Sequence, residues 1–325
     1  MALVLAIVLA YFFPAWGSYE SPLPLDAISS VGIALIFFLY GLKLSPESMK
    51  SGLKNWKLHL LIQLSTFLLF PLIILPFKLL TSTPYQHNLW LAFLFLAALP
   101  STVAFSVLMV TLAKGNVAAA LLNSSLSGLI GILITPLWVG LFLKQVEGEY
   151  QLGHIYLKLL TEILLPVLLG MLLQRFLGAF AKRHSKRLAY FDKLIILLII
   201  YKSFARSIED GVFVSMALSQ MLVILIAVIL LYAVIYSITG YLSDRLVFNR
   251  ADRITAQFCG SKKSLVHGTV FAKILFPAGF PLAMIFLPLM LFHAFQILAG
   301  SALAGRIARQ SKEEPGLDAP ASEVK

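Results

Sequence analysis

The segment from Phe258 to Gly268, FCGSKKSLVHG, combines side chains that are rare inside apolar sequence. It carries the adjacent residues Lys262 and Lys263, a glycine and three hydroxyl or thiol side chains, between stretches typical of membrane helices. A lysine at the centre of a membrane helix costs about 2.5 to 3.5 kcal/mol, so charge at that depth is usually functional. Gly260 stands where a continuous helix would favour Ala or Leu. The pattern predicts a broken helix around a polar site; the alternative is that the lysines cap a short helix in a cytoplasmic loop.

A second polar interruption lies in the segment LPSTVAFS, from Leu99 to Ser106. Pro100 removes one backbone hydrogen bond, and Ser101, Thr102 and Ser106 supply hydroxyl oxygens. Irregular backbone at membrane depth is tolerated only where it is buried in protein or lines water. This segment therefore predicts a second break and a second set of candidate ligands.

Other polar side chains in apolar sequence carry weaker signals. Ser124 is interpreted as a ligand, whereas the spacing of the small residues after it is typical of close helix packing. His267 lies one turn after Lys263 and can face the same cavity, although a lone buried histidine is more often only hydrogen-bonded. His293 and Gln296 share a helix face and are expected to bond to neighbouring helices.

The composition indicates a polytopic membrane protein. Of the 325 residues, 59% are hydrophobic and only 13% are charged, against about 25% charged in soluble domains. The single cysteine, Cys259, excludes an intrachain disulfide framework and a cysteine-rich metal site. The net charge of +11 could suggest nucleic-acid binding, but the basic residues fall in short loops between the predicted spans. This distribution is the one expected from membrane topology. No acid–base pair, nucleotide loop or metal spacing is present, so we expect neither an enzyme nor a bound cofactor.

Apolar windows of about 20 residues predict ten membrane spans in an all-α chain. The windows lie near 1–15, 27–42, 57–77, 88–113, 116–143, 156–177, 190–208, 214–241, 252–276 and 281–305. The predicted division is a first five-helix repeat over 1–143, a linker loop over 144–155, a second repeat over 156–305 and a disordered cytoplasmic tail over 306–325.

Loop charges predict the orientation of these spans. Basic residues concentrate in alternate loops, most densely in one cluster of six: Arg175, Lys182, Arg183, Lys186, Arg187 and Lys193. Both termini are therefore predicted to be cytoplasmic, in a multi-pass protein of the inner membrane. Five spans per half is an odd number, so the two halves enter the membrane in opposite directions, as in inverted-repeat transporters.

A weak internal match supports the division into halves. It aligns Thr111–Lys114 with Val270–Lys273 and thereby Pro100–Thr102 with Cys259–Ser261. The interruptions of the fourth and ninth spans then occupy equivalent places. Paired interruptions of this kind point to the binding site of a transporter.

Several strings resemble one known family, the bile acid:sodium symporter family or solute carrier family 10. They are LAKGNVAAA at Leu112–Ala120, Thr135–Pro136 at the end of the fifth span, FCGSKKSL, and the downstream ILFP and LPLMLFH. The last strings resemble a bacterial YfeH-like branch that is related to vertebrate family member seven. The resemblance covers essentially the whole chain. It implies ten helices in two inverted repeats, divided into panel and core domains, with broken helices four and nine crossing beside bound sodium and substrate moving by alternating access.

The resemblance transfers only part of the sodium sites to this chain. The hydroxyl positions match Thr66, Ser106 and Ser124, which leaves a weak sodium site as the expectation. The remaining ligand positions carry other residues: Val107, Ala120, Phe258 in place of the glutamate, and Lys262 in place of a glutamine. Without a carboxylate the sites lack their formal negative ligand. The sequence therefore leaves three possibilities open: coupling to sodium, coupling to a proton, and no coupling ion at all.

Lys262 offers a physical account of this departure, because a tethered ammonium supplies the charge that a sodium ion would bring. Two lysines and a half-helix N-terminus favour an anionic substrate. We expect a secondary transporter of a small organic anion; an anion channel and a non-transporting membrane regulator of ion homeostasis or envelope synthesis are the alternatives. The expected partners are the lipid bilayer and the anion, without nucleic acid, and the oligomeric state is open. The expected binding residues are Thr66, Ser101, Thr102, Ser106, Ser124, Gly260, Ser261, Lys262, Lys263, Ser264 and His267.

Overall fold

The computed structural model describes residues 2–18, 21–43, 55–143, 152–209, 218–277 and 280–313. Over these ranges the regular structure is entirely helical. The α-helices in chain order are α1 (Ala2–Phe12), α2 (Leu25–Lys43), α3 (Trp56–Leu64), α4 (Phe70–Ile74), α5 (Pro84–Ala98), α6 (Val103–Leu112), α7 (Val117–Leu143), α8 (Leu152–Leu159), α9 (Leu165–Arg183), α10 (Ser185–Glu209), α11 (Leu218–Arg245), α12 (Arg250–Gly260), α13 (Leu265–Leu275) and α14 (Leu282–Glu313).

Short turns of π- and 3₁₀-helix join or extend several of these helices. A π-turn at Ser65–Leu69 links α3 to α4, and a second one at Leu160–Leu164 links α8 to α9. The 3₁₀ segments are Pro14–Trp16 and Leu75–Leu80. Such π-turns redirect backbone hydrogen bonds, and the first one bears directly on the candidate site.

The starts of the helices that lead into the breaks follow from local sequence. At α5, Thr83 Oγ1 accepts from Gln86 N at 3.2 Å and Gln86 Oε1 accepts from Thr83 N at 3.2 Å, which is a capping box. At α12, Asn249 Oδ1 accepts from Asp252 N at 2.8 Å. These caps set where each broken helix begins.

The described helices support a multi-pass membrane protein. Six of them are long and apolar enough to cross a membrane: Leu25–Lys43, Trp56–Leu80, Val117–Leu143, Tyr156–Arg183, Ser219–Arg245 and Leu282–Gln310. A further candidate is the pair Pro84–Ala98 and Val103–Leu112, which is bent by 61° at its break. The count of ten spans and the inverted repeat stay predictions.

Two predicted boundaries differ from the helices in the structure. The last window ends at 305, but α14 continues to Glu313, because hydropathy marks the apolar part of a helix whereas its backbone bonds do not require apolar side chains. The predicted linker over 144–155 overlaps α8, which begins at Leu152, while residues 144–151 lie outside the described residues. The predicted tail beyond 313 also lies outside them.

One group of helices is formed by α1, α2, α9 and α10. Helix α2 packs against α9 and α10, and α1 packs against α10. The α2–α9 contact is close: a Cβ added at Gly41 would lie 2.2 Å from Val167 O, and one added at Gly170 would lie 2.1 Å from Phe38 O. Only glycine permits this backbone approach at either position.

A second group surrounds the two breaks. Helix α12 packs against α3, α6, α7 and α11, and α14 packs against α5, α6, α11 and α13. The groups meet where α13 and α14 contact α10. Helices α7 and α13 also contact α8, which the π-turn at Leu160–Leu164 joins to α9 of the first group. The candidate site therefore lies in the second group, and part of its surface faces the first.

A charged cluster also joins the two groups. Asp26 on α2 pairs with Lys202 and, at 2.9 Å, with Arg206, both on α10. Lys273 on α13 donates to Asp26 O at 3.2 Å and to Ser30 Oγ at 2.9 Å. Relative motion of the two groups at this point must break the two Lys273 contacts, whereas the Asp26 ion pairs lie within the first group.

Candidate functional site

The two helix interruptions that the sequence predicts are present. Helix α5 ends at Ala98 and α6 begins at Val103, while α12 ends at Gly260 and α13 begins at Leu265. Each pair of half-helices is thus separated by four residues without helical structure. In both cases the following half-helix presents its N-terminal end to the break, where the helix dipole is positive.

The two breaks lie against each other. Ser264 N donates to Pro100 O at 2.9 Å, and Ser101 Oγ donates to Cys259 O at 2.8 Å. Ser101 N in turn donates to Ser127 Oγ at 2.9 Å. Backbone groups that lose their helical partners must be satisfied inside a protein, and here each break supplies partners to the other. The hydroxyl of Ser101 therefore links the two breaks. We call the region where the two breaks contact each other the crossing.

The ammonium of Lys263 lies at this crossing, and its side chain is fully buried. Its Nζ donates to three backbone oxygens, Ala97 O at 2.6 Å, Thr66 O at 2.7 Å and Leu99 O at 2.8 Å. An ammonium has three N–H donors, so all of them are satisfied. The Phe70 ring lies 4.0 Å from Nζ and adds a cation–π contact. The alternative that this lysine caps a helix in a solvent-exposed loop is excluded by its burial.

Sequence explains why these carbonyl oxygens are available. In the π-turn the Phe70 N–H bonds to Ser65 O, and Pro71 has no N–H to offer, so Thr66 O is left for Lys263. The other two carbonyls belong to Ala97, in the last turn of α5, and to its C-cap residue Leu99, where a helix end leaves acceptors without intrahelical partners. A kink and a helix end thus converge on one cation.

Lys262 occupies a different environment, and its side chain is also fully buried. Its Nζ donates to Tyr232 Oη and to Gln296 O, both at 3.0 Å. The rings of Tyr232, Phe105 and Phe258 surround it at 4.8, 5.1 and 5.5 Å from Nζ. We call these three rings the aromatic cage. Among the described residues the third ammonium donor has no acceptor, so Lys262 is less completely satisfied than its neighbour.

Neither ammonium pairs with a carboxylate in the part of the chain that the structure describes. The ion pairs found there join other residues: Lys43 with Asp192, Lys202 and Arg206 with Asp26, and Arg253 with Asp244. Buried lysines normally require a charged partner. Here carbonyl dipoles and ring faces replace it, so the crossing carries positive charge without an internal counter-ion among described residues.

Gln296 holds the second break in place. Its Oε1 accepts from Lys263 N at 3.0 Å, and its Nε2 donates to Lys263 O at 2.8 Å. Its Nε2 also lies 3.1 Å from His293 Nδ1. The sequence predicted a bond to a neighbouring helix but not this role. The only signal was an amide side chain in an apolar span.

His267 faces the first group of helices. Ser264, the N-cap of α13, lies with its Oγ 2.9 Å from His267 Nδ1 and accepts from His267 N at 3.3 Å. The Nε2 atom is buried and has no hydrogen-bond partner among the described residues. The Tyr40 ring of α2 lies 5.9 Å from the imidazole, and Tyr40 Oη donates to Ser125 O at 2.9 Å. His267 Nε2 is thus a buried polar atom without a described hydrogen-bond partner, at the place where the two helix groups meet.

The three predicted sodium-ligand hydroxyls contact three separate partners. Thr66 Oγ1 donates to Ile62 O at 2.8 Å, Ser106 Oγ lies 3.4 Å from Ser101 Oγ, and Ser124 Oγ lies 4.0 Å from Cys259 Sγ. The Thr66 oxygen that contacts Lys263 is the backbone carbonyl, which accepts a hydrogen bond from Lys263 Nζ. The weak sodium site at these three residues therefore stays a prediction.

The remaining predicted residues line the breaks with local contacts. Ser261 Oγ donates to Gln257 O at 2.6 Å, and Gly260 is buried against Ser65. Thr102 is half-buried at the N-cap of α6, where its side chain makes no capping hydrogen bond. Phe258, which stands at the position of the family glutamate, is fully buried in the aromatic cage. The tyrosines Tyr40 and Tyr232 were missed, because a single tyrosine in an apolar helix carries no distinctive pattern.

Comparison with known proteins finds similarity along almost the whole chain. A sequence profile of the SBF-like CPA transporter family matches residues 1–309. The candidate symporter YfeH of Escherichia coli strain K12 is 36% identical over 96% of this chain and 93% of its own length. The sodium/bile acid cotransporters 7 of Danio rerio and Xenopus tropicalis are 31% and 30% identical, over 93% and 94% of this chain and 91% and 90% of their own lengths.

Proposed function

The chain belongs to the SBF-like CPA transporter family, and we propose that it is a secondary transporter that moves a small organic anion across the inner membrane by alternating access. The family resemblance seen in the sequence is confirmed, and the chain is a multi-pass membrane transporter of the bile acid:sodium symporter type. Membership of a transporter family supports the expectation that it is not an enzyme.

The observation that carries the proposal is the pair of buried ammoniums without a described carboxylate. Lys262 and Lys263 belong to the break that precedes α13, and α6 begins at the facing break, so two buried ammoniums and two positive half-helix ends occur in the same region. An anionic substrate balances this charge. A cationic substrate meets repulsion from the same groups.

The two lysines receive different roles. Lys263 has all three donors on carbonyl oxygens, so it positions the crossing. Lys262 has two bonds and one donor without a described acceptor, so it supplies the charge that selects an anion. His267 Nε2 is buried without a described hydrogen-bond partner, and its ring lies beside that of Tyr40. We propose that this nitrogen contacts the substrate between the two helix groups.

Alternating access follows from burial. Both lysine side chains are fully enclosed, so an anion can approach them only after the helix groups move. We propose that α1, α2, α9 and α10 form the panel, that the helices around the breaks form the core, and that 1–143 and 156–305 are inverted repeats. The contacts of Ser101 with Cys259 and of Ser264 with Pro100 support an equivalent place for the two breaks.

The test is counterflow in proteoliposomes that are preloaded with members of a panel of organic anions, carboxylates and sulfonates included. We expect at least one labelled anion to accumulate inside the proteoliposomes in exchange for the unlabelled anion with which they were preloaded. Lys262→Ala is expected to lose this exchange, whereas Lys186→Ala, which removes an exposed lysine on α10, is expected to keep it.

The other outcomes identify the alternatives. Anion flux without counterflow identifies a channel and contradicts a transporter. A chain that exchanges no member of the panel, but whose Lys262→Ala variant still complements a deletion strain, is a regulator. Either result overturns the proposed function.

A further inference from the structure

We propose that the Lys263 ammonium fills a monovalent-cation site made of backbone carbonyls, so that this chain carries a tethered cation in place of a bound ion. The consequence of this inference for ion coupling rests on the proposed function. It can be tested without transport, because the occupancy of the site by any cation is read out as thermal stability.

The oxygens around Nζ are the ligands of an ion site. They come from two separate backbone elements: Thr66 O from the π-turn after α3, and Ala97 O and Leu99 O from the end of α5. All lie 2.6 to 2.8 Å from Nζ. Converging backbone carbonyls replace the hydration shell of a cation in ion filters. No described carboxylate shares in this arrangement, so the ammonium is bound by three carbonyl dipoles and the face of the Phe70 ring.

The arrangement exists independently of the lysine. Pro71 and the π-turn release Thr66 O, and the end of α5 releases the other two oxygens. A chain with these carbonyls and no ammonium would leave three buried acceptors unsatisfied, which is costly. The sequence therefore requires a cation at this point, and Lys263 supplies it from the opposite break.

The consequence concerns sodium, which the names of several relatives include. A sodium ion and the Lys263 ammonium exclude each other at the same three oxygens. The hydroxyls of Ser106 and Ser124, the other predicted ligands, contact Ser101 and Cys259, and neither is among the partners of the Lys263 ammonium. The link between the two breaks is thus permanent and independent of a sodium gradient at this site.

The experiment measures thermal unfolding of purified protein in sodium, potassium, methylammonium or choline chloride at matched ionic strength. The wild-type protein is expected to unfold at the same temperature in all four salts. Lys263→Ala is expected to unfold earlier in choline, which is too large to enter, and to recover in at least one smaller cation. For a chain of this length, a cation at 100 times its dissociation constant should raise the melting temperature by about 4 °C.

Two variants serve as controls. Lys262→Ala removes a buried lysine that bonds to one carbonyl, one phenol and three rings, and its stability should not depend on the cation. Lys263→Met fills the same space without charge, so it should be destabilised in every salt without recovery.

Four results overturn the inference. The first is a wild-type protein that sodium stabilises over potassium and choline. The second is a Lys263→Ala protein as stable in choline as the wild type. The third is a Lys263→Ala protein that no cation recovers, and the fourth is an equal recovery in Lys262→Ala. Because stability is measured, a failure of anion exchange leaves these results intact and is distinguishable from them.

Discussion

The replacement Gln296→Leu tests whether one amide side chain holds the second break together. In the structure this amide satisfies both backbone groups of Lys263, at 3.0 Å to the N–H and 2.8 Å to the carbonyl. Lys263 lies outside a helix, so these groups have no helical partners. Leucine has a similar size but neither donor nor acceptor, and it therefore removes both bonds with little change in packing.

The expected cost follows from the burial of the groups left behind. Gln296 and Lys263 are both fully buried, so water cannot replace the lost partners in this conformation. A buried backbone group without a partner costs about 1 to 3 kcal/mol, and two of them cost about 2 to 6 kcal/mol. Side-chain bonds between regular membrane helices are worth less, about 0.6 kcal/mol on average, because their groups find other partners. Backbone inside a break has no such alternative.

The assay compares thermal unfolding of Gln296→Leu, Gln257→Leu and the wild-type protein in the same detergent. Gln257 is a matched control, since its Nε2 makes one longer bond, 3.3 Å to Tyr236 O, and it is only half-buried. We expect a clear loss of stability and of anion exchange for Gln296→Leu, and near wild-type behaviour for Gln257→Leu. If both variants unfold like the wild type, the Gln296 side chain does not stabilise the second break, and the reasoning is refuted.

Two further predictions concern topology and packing. Reporter fusions after Gly148 and Lys325 should report opposite sides of the membrane, because the loop charges predict cytoplasmic termini and an external central loop. Matching sides would contradict five spans per half. Gly131→Ala should destabilise the protein by about 1 to 3 kcal/mol, since its Cβ would lie 2.9 to 3.1 Å from ring atoms of Pro100. Gly305→Ala, whose Cβ meets nothing within 4 Å, should instead be neutral or stabilise α14 by up to about 1 kcal/mol in thermal unfolding.

The sequence by itself determined the class of protein and the places where its helices break. Apolar composition and window length specify membrane helices, because the bilayer sets how many apolar residues a span needs. Pro100 and Gly260 mark the interruptions, since their effects on the backbone are local. The two lysines could be singled out because charge in an apolar segment is costly wherever it lies.

The contacts of Thr66 show what residue type leaves out. Its hydroxyl, which the family resemblance singled out, donates back to Ile62 O four residues earlier, as threonine hydroxyls in helices commonly do. The Thr66 atom that contacts Lys263 is the carbonyl oxygen, which Pro71 and the π-turn release. A carbonyl is common to every residue, so residue type carries no sign of its use.

Only the tertiary structure decided what each lysine does. Lys262 and Lys263 are adjacent and chemically identical, and the sequence-based hypothesis gave the role of a tethered ammonium to Lys262. The structure turns one towards three carbonyls and the other towards the aromatic cage. The partners of Lys263 are 164, 166 and 197 residues away in the chain. Contacts over such separations depend on how whole helices pack, and no local pattern in the sequence records them.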